Sequence, residues 1–156
     1  MTRHALYGLL CMVCMLMTAR GFAIAVCSVS STGTAFGTYD TLSGSAKDVV
    51  GTISVTCTGS IGDAVSYNIA LSPGNGNFIS RDMQAGGTQL QYNLYSDGAH
   101  LSIWGDGTGG TSTVSDNYTL PASTSTRTYT VYGEIPGQTG PVAGSYLDTV
   151  VITLTY

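Results

Sequence analysis

Residues 145–156 read SYLDTVVITLTY, and their alternation decides the fold. Tyr146, Asp148, Val150, Ile152, Leu154 and Tyr156 share one side; Leu147, Thr149, Val151, Thr153 and Thr155 share the other. Successive side chains of an extended chain point to opposite faces, so this pattern predicts a β-strand with one buried face running from Tyr146 to the last residue. Domain termini usually fray. A strand that ends on its own last alternating residue raises the question of what pairs with it.

The same period recurs upstream. In DVVGTISVTC, Val49, Gly51, Ile53, Val55 and Cys57 align; in AVSYNIALS, Val65, Tyr67, Ile69 and Leu71 align. TQLQYNLYS places Leu90, Tyr92 and Leu94 together, with Tyr95 on the other side. RTYTVYGEI aligns Tyr129, Val131, Gly133 and Ile135, with Tyr132 opposite. Breaks fall at Pro73-Gly74-Asn75-Gly76, Asp97-Gly98 and Pro136-Gly137, in a chain otherwise punctuated by Gly, Ser, Thr and Asn. No helical period of useful length is present. The expectation is an all-β, antiparallel sandwich with one two-sheet core and no internal repeat or linker.

The N-terminal stretch MTRHALYGLLCMVCMLMTARGFAIAV reads as a secretory signal peptide. Arg3 and His4 supply the charged start, the apolar run from Ala5 to Met17 falls short of the ~20 residues that span a bilayer, and Ala23-Ile24-Ala25 offers small residues for cleavage. We therefore divide the chain into a signal segment at 1–25 and one domain at 26–156; a cut after Ala19 is the alternative. Removal of Arg3 and Arg20 leaves Lys47, Arg81 and Arg127 against nine acidic residues, a net charge of 3 − 9 = −6. Three scattered cations cannot neutralise a phosphate backbone, which excludes nucleic acid as a partner.

Cys11 and Cys14 leave with the signal, and Cys27 and Cys57 remain as an even pair in an exported chain, where a disulfide is the default. Lipidation of Cys27 fits poorly because Val26 occupies a position that favours a small residue. His100 is the one histidine left after processing, which argues against a metal site and, with no G-x-S-x-G elbow, against a serine hydrolase. No catalytic residue, metal ligand or cofactor is assigned. Gly105 to Gly110 (GDGTGG) formally matches a dinucleotide fingerprint, but TSTVSDNYTL follows where a helix is required, so a surface loop is expected. Asn117-Tyr118-Thr119 is a glycosylation sequon, relevant only in a host that modifies Asn. Trp104, beside the glycine loop, is a candidate surface-contact residue or a hydrophobic plug at the sandwich end, the plug being preferred.

Taken in order, CSVSSTGTAFGTYDTLSG, ISVTC, RDMQAGGTQLQYNLYSD, WGDGTGG and TVYGEIPGQTGPVAGSYLDTVVITLTY resemble the spore coat protein U domain family, pilin-like subunits of the archaic chaperone–usher pathway with Csu-type pili as the named example. The resemblance spans nearly the whole mature chain and rests on the ordered set rather than on one motif. It implies an immunoglobulin-like sandwich lacking its final strand, exported to the periplasm and displayed on a pilus, cell surface or coat. It also implies partners: a periplasmic chaperone, an outer-membrane usher and other subunits. A strand lent by the chaperone, then by the next subunit, would lie beside the chain's own last strand, a form of β-augmentation. Under that resemblance Val150, Ile152, Leu154 and Tyr156 line the open groove, and Cys27 and Cys57 bridge the first strand to the second.

The expected function is thus a non-enzymatic structural subunit of a surface pilus or coat. Only Val26 precedes Cys27 after cleavage at Ala25, too little to serve as a donor strand, so a terminal or tip position in surface attachment or biofilm is expected. The alternative from another class is a soluble carbohydrate-binding module using Trp104 and exposed tyrosines.

Overall fold

The computed structural model describes residues 25–156, so the signal peptide expected at 1–25 lies almost wholly outside the described residues. The alternating stretches become eight strands, all paired antiparallel: β1 (Val26–Ser31), β2 (Lys47–Thr58), β3 (Ala64–Leu71), β4 (Arg81–Ala85), β5 (Thr88–Tyr95), β6 (Val114–Thr119), β7 (Thr124–Ile135) and β8 (Ile152–Thr155). They form a five-stranded sheet, order β1-β2-β7-β5-β4, facing a three-stranded sheet, order β6-β3-β8. This is an immunoglobulin-like β-sandwich, and no helix occurs among the described residues.

The period-2 faces predicted for the long strands are the faces that pack. Ile53, Val55 and Cys57 of β2, Val131 and Ile135 of β7, and Leu90, Tyr92 and Leu94 of β5 meet Val65, Tyr67, Ile69 and Leu71 of β3 in one core. Fully burying an aliphatic or aromatic side chain of this size stabilises the fold by roughly 1.5–3 kcal/mol. Cys27 and Cys57 are directly opposite in the β1–β2 ladder and are joined by a disulfide, closing a loop of 30 residues.

Two glycines on the inner face of the large sheet admit the chain that runs from β1 to β2. A Cβ on Gly51 would meet the Gly33 carbonyl oxygen at 2.5 Å, and one on Gly133 would meet the Phe36 ring at 3.0 Å. The backbone near Gly33 and the buried Phe36 ring therefore sit directly on the sheet, where Phe36 packs edge-on against Tyr92 with centroids 5.7 Å apart.

Polar clasps tie the sheets together. At one end the Tyr129 hydroxyl of the large sheet donates to Asp116 of β6 at 2.7 Å and lies 2.6 Å from the Tyr67 hydroxyl of β3. At the other, Arg81 is completely buried; its guanidinium donates to the carbonyls of Ser72 and Trp104 and to the Asn93 side chain. Burial holds the Arg81 pKa below its ordinary value, and the cation is tolerated because carbonyl acceptors replace its hydration.

Two strands escape the sequence reading. β4 is short and carries Arg81 as an inward residue, so its pattern looks polar. β6 alternates Val114, Asp116 and Tyr118 inward, and a carboxylate in that series hides the period.

Candidate functional site

The terminal stretch differs from a single strand beginning at Tyr146. Its alternation persists, with Tyr146, Asp148, Val150, Ile152 and Leu154 half-buried and Leu147, Thr149, Val151 and Thr153 exposed, yet the ladder is confined to β8. The reason is that the segment changes sheets. Leu147 exchanges backbone hydrogen bonds with Gln84 of β4 at the edge of the large sheet, whereas Val151 and β8 pair with Ser72 and β3 of the small sheet.

Asp148 is the pivot of that crossing. Its carboxylate accepts from the Tyr92 hydroxyl at 2.6 Å, and from the Asn75 backbone and side-chain nitrogens at 2.9 Å each. Burial and then the Asp148 hydrogen bond raise the Tyr92 pKa well above the tyrosine range, so the phenol stays a donor. Gly74, at φ +62°, leaves the space the carboxylate occupies.

Beside this segment the sandwich is open. A groove of about 1010 Å³ runs between the 33–42 stretch on one side and 141–150 on the other, floored by Met83, Leu90, Tyr92, Leu94 and Ile135. It extends toward β8 in a smaller hollow of about 60 Å³ that reaches Ile53, Leu71, Val131, Val150 and Ile152. These are core residues, and the hollow touches both sheets. β8 pairs on one side only, with β3, and β1 pairs only with β2; no ladder joins β1 to β8 across the gap. Two unpaired edges with the small apolar hollow between them offer backbone hydrogen-bonding groups beside side-chain pockets, which is the chemistry of strand addition.

The sequence-selected residues distribute as follows. Val150, Ile152 and Leu154 face the core yet remain half-buried, and Val150 and Ile152 line the opening. Tyr156 lies just beyond β8 and is 58% exposed, because the ladder with β3 ends at Thr155. Trp104, the candidate surface-contact residue, is inside the sandwich. Its side chain is fully buried and its indole nitrogen donates to the Ile69 carbonyl at 3.0 Å, so it plugs the sandwich end, the reading preferred from the sequence, and Trp104 offers no surface platform. The glycine loop after it is an exposed turn followed by strand β6. His100 lies in the turn after β5, with Nδ1 3.5 Å from the Glu134 carboxylate.

Sequence reasoning missed Phe36 and Asp148 as parts of this site. Phe36 stands alone between small residues with no period to reveal it, and Asp148 was visible only as a polar interruption on the inward face.

The Spore Coat Protein U domain model matches residues 14–153, and the chain belongs to that family. Among solved structures, a chain of the CsuC-CsuE chaperone-tip adhesion subunit pre-assembly complex from archaic chaperone-usher Csu pili of Acinetobacter baumannii is similar, with 24% identity and a TM-score of 0.57. The match covers 85% of this chain and 40% of that one, so this chain spans well under half the length of its structural neighbour. The likeness is one of fold. No curated protein sequence matches the chain.

Proposed function

We propose that the chain is an exported structural subunit of a surface pilus or coat, assembled by a periplasmic chaperone and an outer-membrane usher, whose groove beside β8 accepts a strand from a partner. One observation carries the reading: an apolar hollow lined by Ile53, Leu71, Leu94, Val131 and Ile152 opens between the unpaired edges of β1 and β8, beside a groove of about 1010 Å³ along 141–150. A donor strand there would hydrogen-bond to β8 and place alternate side chains over Leu90, Tyr92, Leu94 and Ile152. Val150, Ile152 and Leu154 are the acceptor residues in this reading. Family membership supports it, and so does a fold neighbour that comes from a chaperone–subunit complex. The role is structural, with no catalytic step.

The test is to produce the full chain for export with and without a candidate chaperone. Alone it should self-associate, and a synthetic peptide with apolar residues at alternate positions over roughly nine residues should raise its melting temperature. A soluble monomer indifferent to donor peptides and to chaperone would overturn the reading. A terminal, surface-attaching position is part of the same proposal. Mixing the chaperone-bound chain with free subunits should give single capped additions; a ladder of self-polymers would contradict it.

A further inference from the structure

Asp48 on β2 and Glu134 on β7 are directly opposite partners in the ladder at the centre of the large sheet. Like charges placed directly opposite destabilise a strand pair. Lysine and arginine do nothing to relieve this one. Among the described residues, Arg81 is buried against carbonyls, Arg127 pairs with Asp116, and Lys47 makes no ion pair with either carboxylate. What approaches instead is an imidazole. The turn after β5 is fastened by Asp97, whose carboxylate accepts from the backbone amides of Ala99, Leu101 and Ser102. This turn brings His100 over the pair, with its ring against Tyr95 at a centroid distance of 4.8 Å. One ligand atom from each of Asp48, His100 and Glu134 lies within 4.8 Å of the other two.

We propose that Asp48, His100 and Glu134 bind a divalent transition-metal cation, Zn²⁺ by fit, on the outer face of the five-stranded sheet. A dication would engage both carboxylates at once and remove a repulsion that no lysine or arginine among the described residues relieves. One imidazole and two carboxylates suit zinc and its neighbours rather than calcium or magnesium, which take oxygen ligands throughout. Ligand atoms around tetrahedral zinc, with bonds of ~2.0–2.2 Å, lie roughly 3.4 Å apart. The Nδ1 to Glu134 distance is already 3.5 Å, so closure asks mainly for a small rotation of the exposed Asp48 side chain. The Tyr95 ring packs against the imidazole at a tilt of 34° and restricts its rotation. Three protein ligands leave a fourth position for water or for a group on another molecule. The sequence gives no sign of the site because its ligands are scattered over three segments far apart in the chain.

The test uses the full chain purified through a histidine-free affinity tag, stripped with chelator and titrated with ZnCl₂. One equivalent should bind with micromolar or tighter affinity and raise the melting temperature, and Co²⁺ should give the visible absorption bands of a low-coordinate site. His100→Asn, chosen because Asn tolerates the left-handed backbone at this position (φ 57°), should weaken binding at least tenfold, as should Glu134→Gln. Without metal, Asp48→Asn should melt at or above the temperature of the unchanged protein, since it relieves repulsion, while also losing zinc. No binding up to 100 μM zinc, or binding that survives both His100→Asn and Glu134→Gln, would overturn the proposal. A metal-free Asp48→Asn that is less stable would do so as well, by removing its electrostatic basis.

Discussion

The Tyr92 hydroxyl donates to the Asp148 carboxylate at 2.6 Å, tying the middle of the large sheet to the segment that crosses into the small one. This bond holds 146–150 along the mouth of the groove and so aims β8 at β3. Tyr92→Phe keeps the ring against Phe36 but removes one donor from a carboxylate that still holds Asn75. We expect a loss of about 1–3 kcal/mol, typical of a half-removed polar pair, measured by denaturant unfolding. An unchanged midpoint would show that the bond does not position the segment.

The disulfide is expected to stabilise the domain by roughly 3–4 kcal/mol through the 30-residue loop it closes. Cys57→Ala should therefore lower the yield of folded protein, and thiol titration of the denatured exported chain should find no free sulfhydryl from this pair. Two free thiols, or a lipid on Cys27, would contradict the pairing.

Alkaline pH should unfold the protein through its buried tyrosines. Burial, then the hydrogen bond to Tyr67 and the proximity of Asp116, raises the Tyr129 pKa far above its ordinary 10.0; Tyr67 is raised as well, chiefly by burial. A group whose folded pKa is raised contributes stability that is fully present below its unfolded value and is lost as pH climbs above it. Stability should hold to about pH 10 and fall beyond it, and Tyr129→Phe should flatten that fall. An equally steep decline in the variant would assign it to other groups.

Trp104 should behave as a plug. Its fluorescence should be blue-shifted in the folded chain and insensitive to added polysaccharides, and Trp104→Ala should cost about 3–5 kcal/mol. Quenching by a sugar at unchanged stability would restore the binding-module alternative.

Much of this fold is legible in the sequence because half-buried antiparallel strands write their burial as a period of two. β2, β3, β5 and β7 carry that signal with aliphatic residues on one face. β4 and β6 do not, since Arg81 and Asp116 point inward and are satisfied by partners from distant segments, and Tyr118 points inward with the Arg127 guanidinium over its ring. The terminal stretch is an intermediate case: its alternation is real, yet Asp148 makes the chain leave one sheet for the other, and nothing local distinguishes that from a continuous strand. Trp104 shows the converse. An aromatic beside a glycine loop resembles a surface platform until its indole nitrogen finds the Ile69 carbonyl inside the core.

Polarity of substitution along β8 separates its two faces. Ile152→Asp or Leu154→Asp would place a carboxylate against the core, at a cost of several kcal/mol, and should abolish recovery with a chaperone. Thr153→Asp, on the exposed side, should cost well under 1 kcal/mol. Equal effects at 152 and 153 would mean that β8 does not present one face to a groove.

Hydrogen exchange tests the central claim most directly, because the sandwich has four outer strands: β1 and β4 in one sheet, β6 and β8 in the other. Amide exchange would be compared for the full chain alone and for the chain bound to a chaperone or donor peptide. Strand addition in the groove predicts slowing by tenfold or more in β8 and in the facing strand β1, with β4 and β6 unchanged. Protection confined to β4 or β6, or no protection in β8 on binding, would contradict it.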